Sequence, residues 1–477
     1  MYDIAIIGAG VIGGMIAREL SFYSLSVCLL EKENDVATGA TKANSAIVHA
    51  GFDAKEGSLK AKLNVRGSAL MPQIAKDLGV RYINNGSLVV GFNDEDKETL
   101  NGLLARGNAN GVPRLEILSR EEVLKIEPSI GLEVTCALYA PTGAIICPYD
   151  LAVSAIGNAM DNGVTLLCNF EATEIVDNGD FYTLKSSSEE IQARFVINCA
   201  GIFSDKVAKM VGDDTFNVHP RRGEYILLDK ECGNIISHTV FVTPTKMGKG
   251  ILVSPTVDGN LLLGPSAVDG NDKGDKSTTN EFFASIFNIA EKSVHGVPKN
   301  QTITSFCGLR SVGDTGDFII NSPRERFINV AGIESPGLSA SPAIAEYVVN
   351  MLKDAGAHLV KKENPITTRK SMHAFREASY EVKNQMIKEN PAYGRIICRC
   401  EGVSEGEILD AIHRNPRATD LDGVKRRTRS QMGRCQGGFC SPYIIELLSR
   451  ELNLPYEKIT KFGGESYVVM GKTKEDK

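Results

Sequence analysis

Residues 3–14 read DIAIIGAGVIGG, and this stretch decides the fold. Asp3 to Gly8 is a short apolar run rich in β-branched residues, 11–22 carries apolar residues at helical spacing, and SVCLLEK at 26–32 is again strand-like. The pattern predicts a strand, helix, strand unit with Gly8, Gly10 and Gly13 spelling GxGxxG at the first turn and Glu31 closing the second strand. The three glycines then serve in order a tight turn, close approach of backbone to a pyrophosphate, and close packing of helix on strand. The helix N-terminus faces the phosphate charge, and an acid at Glu31 suits ribose hydroxyls. A dinucleotide site is expected, although the fingerprint alone does not separate FAD from NAD.

Beyond this unit, strands are expected at 87–92, 194–201, 250–255 and 260–265, interleaved with helices at 149–162 and 340–354. At about one domain per ~150 residues, 477 residues imply roughly three folding units. With 42% hydrophobic and 23% charged residues the chain reads as globular, which excludes disorder, collagen and coiled coil. A net charge of -6 gives no global attraction for nucleic acid or anionic lipid. Asp3 stands where a signal peptide carries basic residues, and Arg18-Glu19 interrupt the apolar stretch, so neither export nor a transmembrane segment is expected; the expected location is cytoplasmic. Eleven cysteines spread unevenly then read as reduced thiols and ligands.

Two later segments suit close approach of backbone to a ligand: VINCAG at 196–201 and GIESPGLS at 332–339. At these residues and the fingerprint, residues 1 to about 355 resemble the FAD-dependent amino-acid and hydroxy-acid oxidase superfamily, the D-amino-acid-oxidase-like enzymes. The resemblance implies FAD, with Glu31 on the adenosine ribose, Ala172 offering backbone to the adenine, and Ala200 and Gly201 approaching the cofactor. Gly332, Gly337, Leu338 and Ser339 would line the isoalloxazine end, and Thr41 and Ser45 lie in the segment that runs along the flavin.

That segment ends in His49, a candidate base: a neutral imidazole can accept a hydroxyl proton near working pH. The other reading of His49 is a ring that only orients backbone or flavin. Arg310, in Gly308-Leu309-Arg310, matches the position where the superfamily keeps an arginine for its substrate's anionic group; a guanidinium binds carboxylate or phosphate bidentately. Its bland reading is an ordinary salt bridge. Arg221 and Arg222 could bind an anion or be solvated.

Cys398-Arg399-Cys400 is followed, after 34 intervening residues, by Cys435 and then Cys440. Thiolates so gathered select zinc or an iron-sulfur cluster, and CxC is the less usual spacing for zinc. Residues 394–455, with GRCQGGFC at 433–440, resemble the bacterioferritin-associated-ferredoxin-like domain, which implies a small helical unit around a [2Fe-2S] cluster. The basic run Lys425 to Arg429 lacks interleaved aromatics, so nucleic acid is set aside; near a cluster it is expected to ease reduction and guide an acidic partner, with a solvated helix face as the ordinary alternative.

The expected fold class is therefore α/β, a Rossmann-like FAD-binding domain, with an α+β substrate domain of mostly antiparallel sheet and a small helical [2Fe-2S] domain. Expected boundaries are 1–75, 141–215 and 305–360 for FAD binding, 76–140 and 216–304 for substrate, 361–393 as linker, 394–455 for the cluster, and 456–477 as a tail whose KTKEDK end is disordered. A flavin joined to a one-electron centre implies a dehydrogenase with an onward acceptor. No second GxGxxG follows a strand, so no NAD site is expected here, and a separate NAD- or quinone-linked redox partner is; an oligomer is possible.

The joint arrangement resembles the anaerobic glycerol-3-phosphate dehydrogenase family, which implies a small anionic secondary alcohol as substrate. Residues 49–67, HAGFDAKEGSLKAKLNVRG, are also similar to L-2-hydroxyglutarate dehydrogenases. Amines or amino acids are a third substrate class, and a flavin-bearing scaffold or an iron-sulfur sensor are the non-enzyme alternatives.

Overall fold

The computed structural model describes residues 1–244 and 250–474. Its first sheet is built on the strand Tyr2–Ile7, which pairs in parallel with Val27–Leu30 on one side and with Glu190–Asn198 on the other. Thr165–Leu167 extends the parallel set beyond Val27–Leu30, and Phe327–Ala331 extends it beyond Glu190–Asn198. A hairpin, Glu174–Asp177 with Tyr182–Lys185, and the strand Ile319–Arg324 complete eight strands. Parallel strands are covered on both faces, and the alternation shows it. Ile4 and Ile6 pack with the helices Val11–Leu20, Pro148–Asp161 and Gly337–Asp354, whereas Ala5 and Ile7 pack with Phe170, Leu184 and Phe327 on the other face.

The second sheet has nine strands, antiparallel except where Ser87–Gly91 runs parallel to Thr239–Val242. Ile226, Leu228 and Leu263 on one face bury against Ile286 and Ala290 of the helix Asn280–Ser293. From the opposite face Val89, Phe241 and Leu252 meet Ile47 and Phe52, so this sheet leans on the segment that follows the second strand of the first sheet.

Residues 394–455 hold a two-stranded ladder, Ile396–Cys398 with Val403–Ser404, and the helices Glu405–His413, Leu421–Thr428 and Ser441–Leu452 around Ile408, Val424, Ile444 and Leu448. Ser404 and Glu407 start the first helix as a reciprocal cap, each side chain accepting from the other's amide.

Residues 361–393, expected as a linker, lie on the first domain and carry the helices Ala374–Glu377 and Tyr380–Glu389. Lys362 and Arg369 donate from their amides to the carbonyls of Phe22 and Asp77, and buried His373 meets Asp150 at 2.9 Å. Beyond 455, buried Ile459 joins the C-terminal core, and the amides of Leu421 and Asp422 donate to Thr460 and Lys461. Of the KTKEDK end, residues 475–477 lie outside the described residues.

The basic run departs from its expectation. Arg426, Arg427 and Arg429 are only 4%, 2% and 5% exposed, so this face is neither solvated nor open to a partner. Asp35, in the loop after the second strand, accepts from Arg427 through both carboxylate oxygens at 2.8 Å and from Arg426 as well. The run reads as surface because its acids lie far away in the chain. It is the seam that holds the C-terminal domain on the first.

Candidate active site and cysteine centre

Both sheets and the segment between them enclose a cavity of about 1040 Å³, at the upper end of the usual range for ligand sites. One end is the glycine turn. Gly8 has φ +105°, and a Cβ there would stand 2.4 Å from the Cys199 carbonyl oxygen; the same test at Gly13 meets the Gly8 oxygen at 2.0 Å, so Gly13 packs helix on strand behind the cavity. Gly8 and Gly10 line it. Thr41 also lines it and accepts from the Val11 amide at the helix N-terminus, 3.0 Å. Glu31, 8% exposed, reaches the cavity while accepting from the amides of Ala9 and Glu33, and burial pushes its carboxyl above the ordinary value. Ala172, Ala200 and Gly201 border the same end.

Of the four residues expected from the last loop, Gly337 and Leu338 line the cavity, together with the Ile333 to Pro336 stretch before them. Gly332 and Ser339 do not line it, contrary to expectation. Gly332 packs against Gly313, and fully buried Ser339 acts from behind, its Oγ accepting from the His49 amide at 2.7 Å. The reason is the close crossing of two helices there: a Cβ on Gly67 of Leu59–Leu78 would stand 2.1 Å from the Ser339 oxygen.

At the opposite end His49 faces Ser335, Nε2 to Oγ 3.3 Å, with its ring centroid 5.8 Å from that of Phe241. The strands Val218–Leu228 and Thr302–Gly313 set Arg221 opposite Arg310, Gly223 opposite Gly308 and Tyr225 opposite Phe306. Alternation along the first strand sends Arg221 and Tyr225 to the cavity and Arg222 to the other face, where Asp275 takes it at 2.8 Å. Arg221 is bound to Asp269. Arg310 reaches the Ser266 carbonyl, at 3.4 Å, and the Tyr225 hydroxyl, and among the described residues has no carboxylate within ion-pair distance. Tyr225, stacked on Phe306 and 3.1 Å from Ser45, went unassigned in the sequence; the two-residue alternation Arg221, Gly223, Tyr225 was the available signal.

Gly308 lets the turn Ala40–Lys42 and the residues after it cross this strand, since a Cβ there would stand 1.9 Å from the Ala43 oxygen. Gly308→Ala therefore displaces the turn at a cost of about 1–3 kcal/mol. Titration of the flavin-free protein with FAD is expected to show affinity about tenfold or more weaker; unchanged affinity would show that the crossing yields freely.

The four C-terminal cysteines stand as two pairs: Cys400 and Cys435 with sulfurs 3.6 Å apart, and Cys398 hydrogen-bonded with Cys440. With Cys440 donating, Cys398 is pulled down to about 6 and carries the thiolate of the pair, while Cys440 is pushed up and keeps the proton. Among the described residues no three or more His, Cys, Asp or Glu groups gather as for a single ion. Two pairs fit a two-iron cluster, in which each iron takes two cysteines.

Residues 3–351 match the family described as FAD dependent oxidoreductase, and 396–450 match the BFD-like [2Fe-2S] binding domain. The chain belongs to the FAD dependent oxidoreductase family, and its cofactors are FAD and a [2Fe-2S] cluster. It is 48% identical, over all of both chains, to a glycerol 3-phosphate dehydrogenase of Caloramator mitchellensis. Against the human mitochondrial L-2-hydroxyglutarate dehydrogenase it is 33% identical over 51% of this chain and 55% of that one. The FAD-bound L-alpha-glycerophosphate oxidase of Mycoplasma pneumoniae superposes with a TM-score of 0.73 at 33% identity, covering 77% of this chain and 98% of that one. Among the described residues no helix is long and apolar enough to cross a membrane.

Proposed function

We propose that the chain is a dehydrogenase that oxidises sn-glycerol 3-phosphate to dihydroxyacetone phosphate and hands the electrons singly to a redox partner. The observation that carries this reading is Arg310, a cavity-facing guanidinium left without a carboxylate partner among the described residues, with His49 lining the same chamber. Bound FAD supplies the hydride acceptor and the [2Fe-2S] cluster a one-electron outlet.

The protein's own residues do the rest. Gly8, Gly10 and the helix N-terminus offer backbone to the pyrophosphate, and Glu31 to the ribose. Arg310 holds the substrate phosphate bidentately and so places the secondary alcohol. His49 takes the hydroxyl proton as the C2 hydrogen leaves, with its backbone fixed by Ser339 and its ring by Ser335 and Phe241. Phe241 and Leu252 close the chamber with apolar surface.

An anaerobic visible spectrum before and after glycerol 3-phosphate tests the reading. Bleaching of the flavin band is expected, with 2-hydroxyglutarate in parallel. Bleaching by 2-hydroxyglutarate alone would keep the chemistry and replace the substrate; bleaching by neither would end the assignment. His49→Ala is expected to slow flavin reduction by about 10²–10⁴-fold, and a variant that keeps its flavin and its full rate would remove His49 from proton transfer.

A further inference from the structure

Arg429 ends the helix Leu421–Thr428 in a left-handed conformation, φ +66°, and turns the chain toward Cys435. Its guanidinium is spoken for on every side. Nε donates to Glu401 at 3.1 Å, Nη1 meets Asp258 at 2.8 Å and Tyr149 Oη at 3.1 Å, and Nη2 donates to Asn260 at 3.2 Å. Tyr149 belongs to the helix Pro148–Asp161 of the first domain, and Asp258 and Asn260 belong to the second sheet's domain. One side chain thus joins all three units.

Glu401 directly follows Cys400 and is 4% exposed. It also takes Lys230 at 2.9 Å and stands 3.9 Å from Arg376. The two loops that meet in the Arg429–Glu401 pair are those whose amides point at the cysteines: Gln431 toward Cys398 and Cys440, and Glu401 toward Cys398. Amides aimed at cluster sulfurs and positive charge nearby both favour the reduced cluster.

We propose that Arg429 is a positioning residue for the [2Fe-2S] cluster: clamped by Glu401 and Asp258, it aims the Gln431 amide at the Cys398 and Cys440 sulfurs and so sets the cluster's reduction potential where the three domains meet. This deepens the one-electron outlet proposed above and rests on it. A clamp lost at this point would loosen the cluster from both other domains at once, because Arg429 bonds to each of them.

The test is a redox titration of the holoenzyme with chemical mediators, read by the EPR signal of the reduced cluster, so that no substrate is involved. In Arg429→Gln, the equilibrium constant for reducing the cluster is expected to fall about tenfold, equivalent to about 59 mV for one electron. Arg429→Lys keeps the charge without the fork and should fall by less. Asp258→Asn frees one side of the clamp and leaves the Arg429 charge in place. The potential is therefore expected to fall in this variant too, whereas loss of an anion acting by charge alone would raise it. A fall in both Arg429→Gln and Asp258→Asn supports the proposal; a rise in Asp258→Asn, or no change in Arg429→Gln, overturns it. Should Arg429→Gln lose its cluster, Arg429→Lys and Asp258→Asn carry the test: a fall in both supports the proposal, and a rise or no change in Asp258→Asn overturns it. Failure of glycerol 3-phosphate to bleach the wild-type flavin would sink the substrate reading alone.

Discussion

Arg310→Ala is expected to lower kcat/KM for glycerol 3-phosphate by about two to three orders of magnitude while the flavin stays bound. Removing one partner of a desolvated charge pair costs about 2–5 kcal/mol, and each 1.36 kcal/mol is about tenfold in rate. Arg310→Lys keeps the charge and loses the bidentate fork, so a loss of about tenfold is expected. Arg221 stands directly across the strand pair and supplies the internal comparison. Its guanidinium is already bound to Asp269, so Arg221→Ala should change kcat/KM by no more than about threefold. Steady-state rates and anaerobic flavin reduction on the same samples decide the matter. A fully loaded Arg310→Ala enzyme within threefold of wild type would show that the phosphate is held elsewhere.

The second large effect is structural. Asp35→Ala leaves Arg426 and Arg427 buried without their acid, and breaking such a pair from one side costs about 3–5 kcal/mol. Hydrogen exchange is expected to show early release of residues 394–455 in the variant, ahead of the first sheet. A loss below about 1 kcal/mol would show that the apolar contacts alone hold the seam. The same carboxylate gives a pH dependence. Burial alone would raise its pKa, but Arg427 and then Arg426 outweigh burial and hold it at about 2, below the ordinary 3.8. A depressed carboxylate contributes stability that is fully present above its unfolded value and is lost as pH falls through the folded one. Wild-type docking should therefore weaken between about pH 4 and pH 2, and Asp35→Asn should show no such step.

What the sequence made legible was local. The glycine turn, Glu31 and the CxC and GRCQGGFC cysteines each lie within one short segment whose chemistry is complete in itself, and the family and its cofactors could be read from them. Arg310 could be named from its surroundings in the chain, but its pairing across from Arg221, and the place of Tyr225 beside it, depend on strand register between 218–228 and 302–313. No window of sequence contains both. Ser339 was placed on the cavity wall because it sits in the right loop. Its true position comes from a helix crossing at Gly67 that no periodicity announces. Lys425 to Arg429 failed for the same reason at greater range: a basic helix and a lone aspartate each look solvated until they are brought together.

Asp35 and Arg427 are 392 positions apart. During synthesis the acid emerges early and stays without its two arginines until nearly the whole chain has emerged. The first sheet waits too, because its strand Phe327–Ala331 and the helix behind His49 come late. Closing such wide loops is slow, and domains are built in the order in which they leave the ribosome. A chain cut short before residue 394 would leave Asp35 a bare acidic notch where the C-terminal domain docks, so the seam at Asp35 is among the last joints to be made.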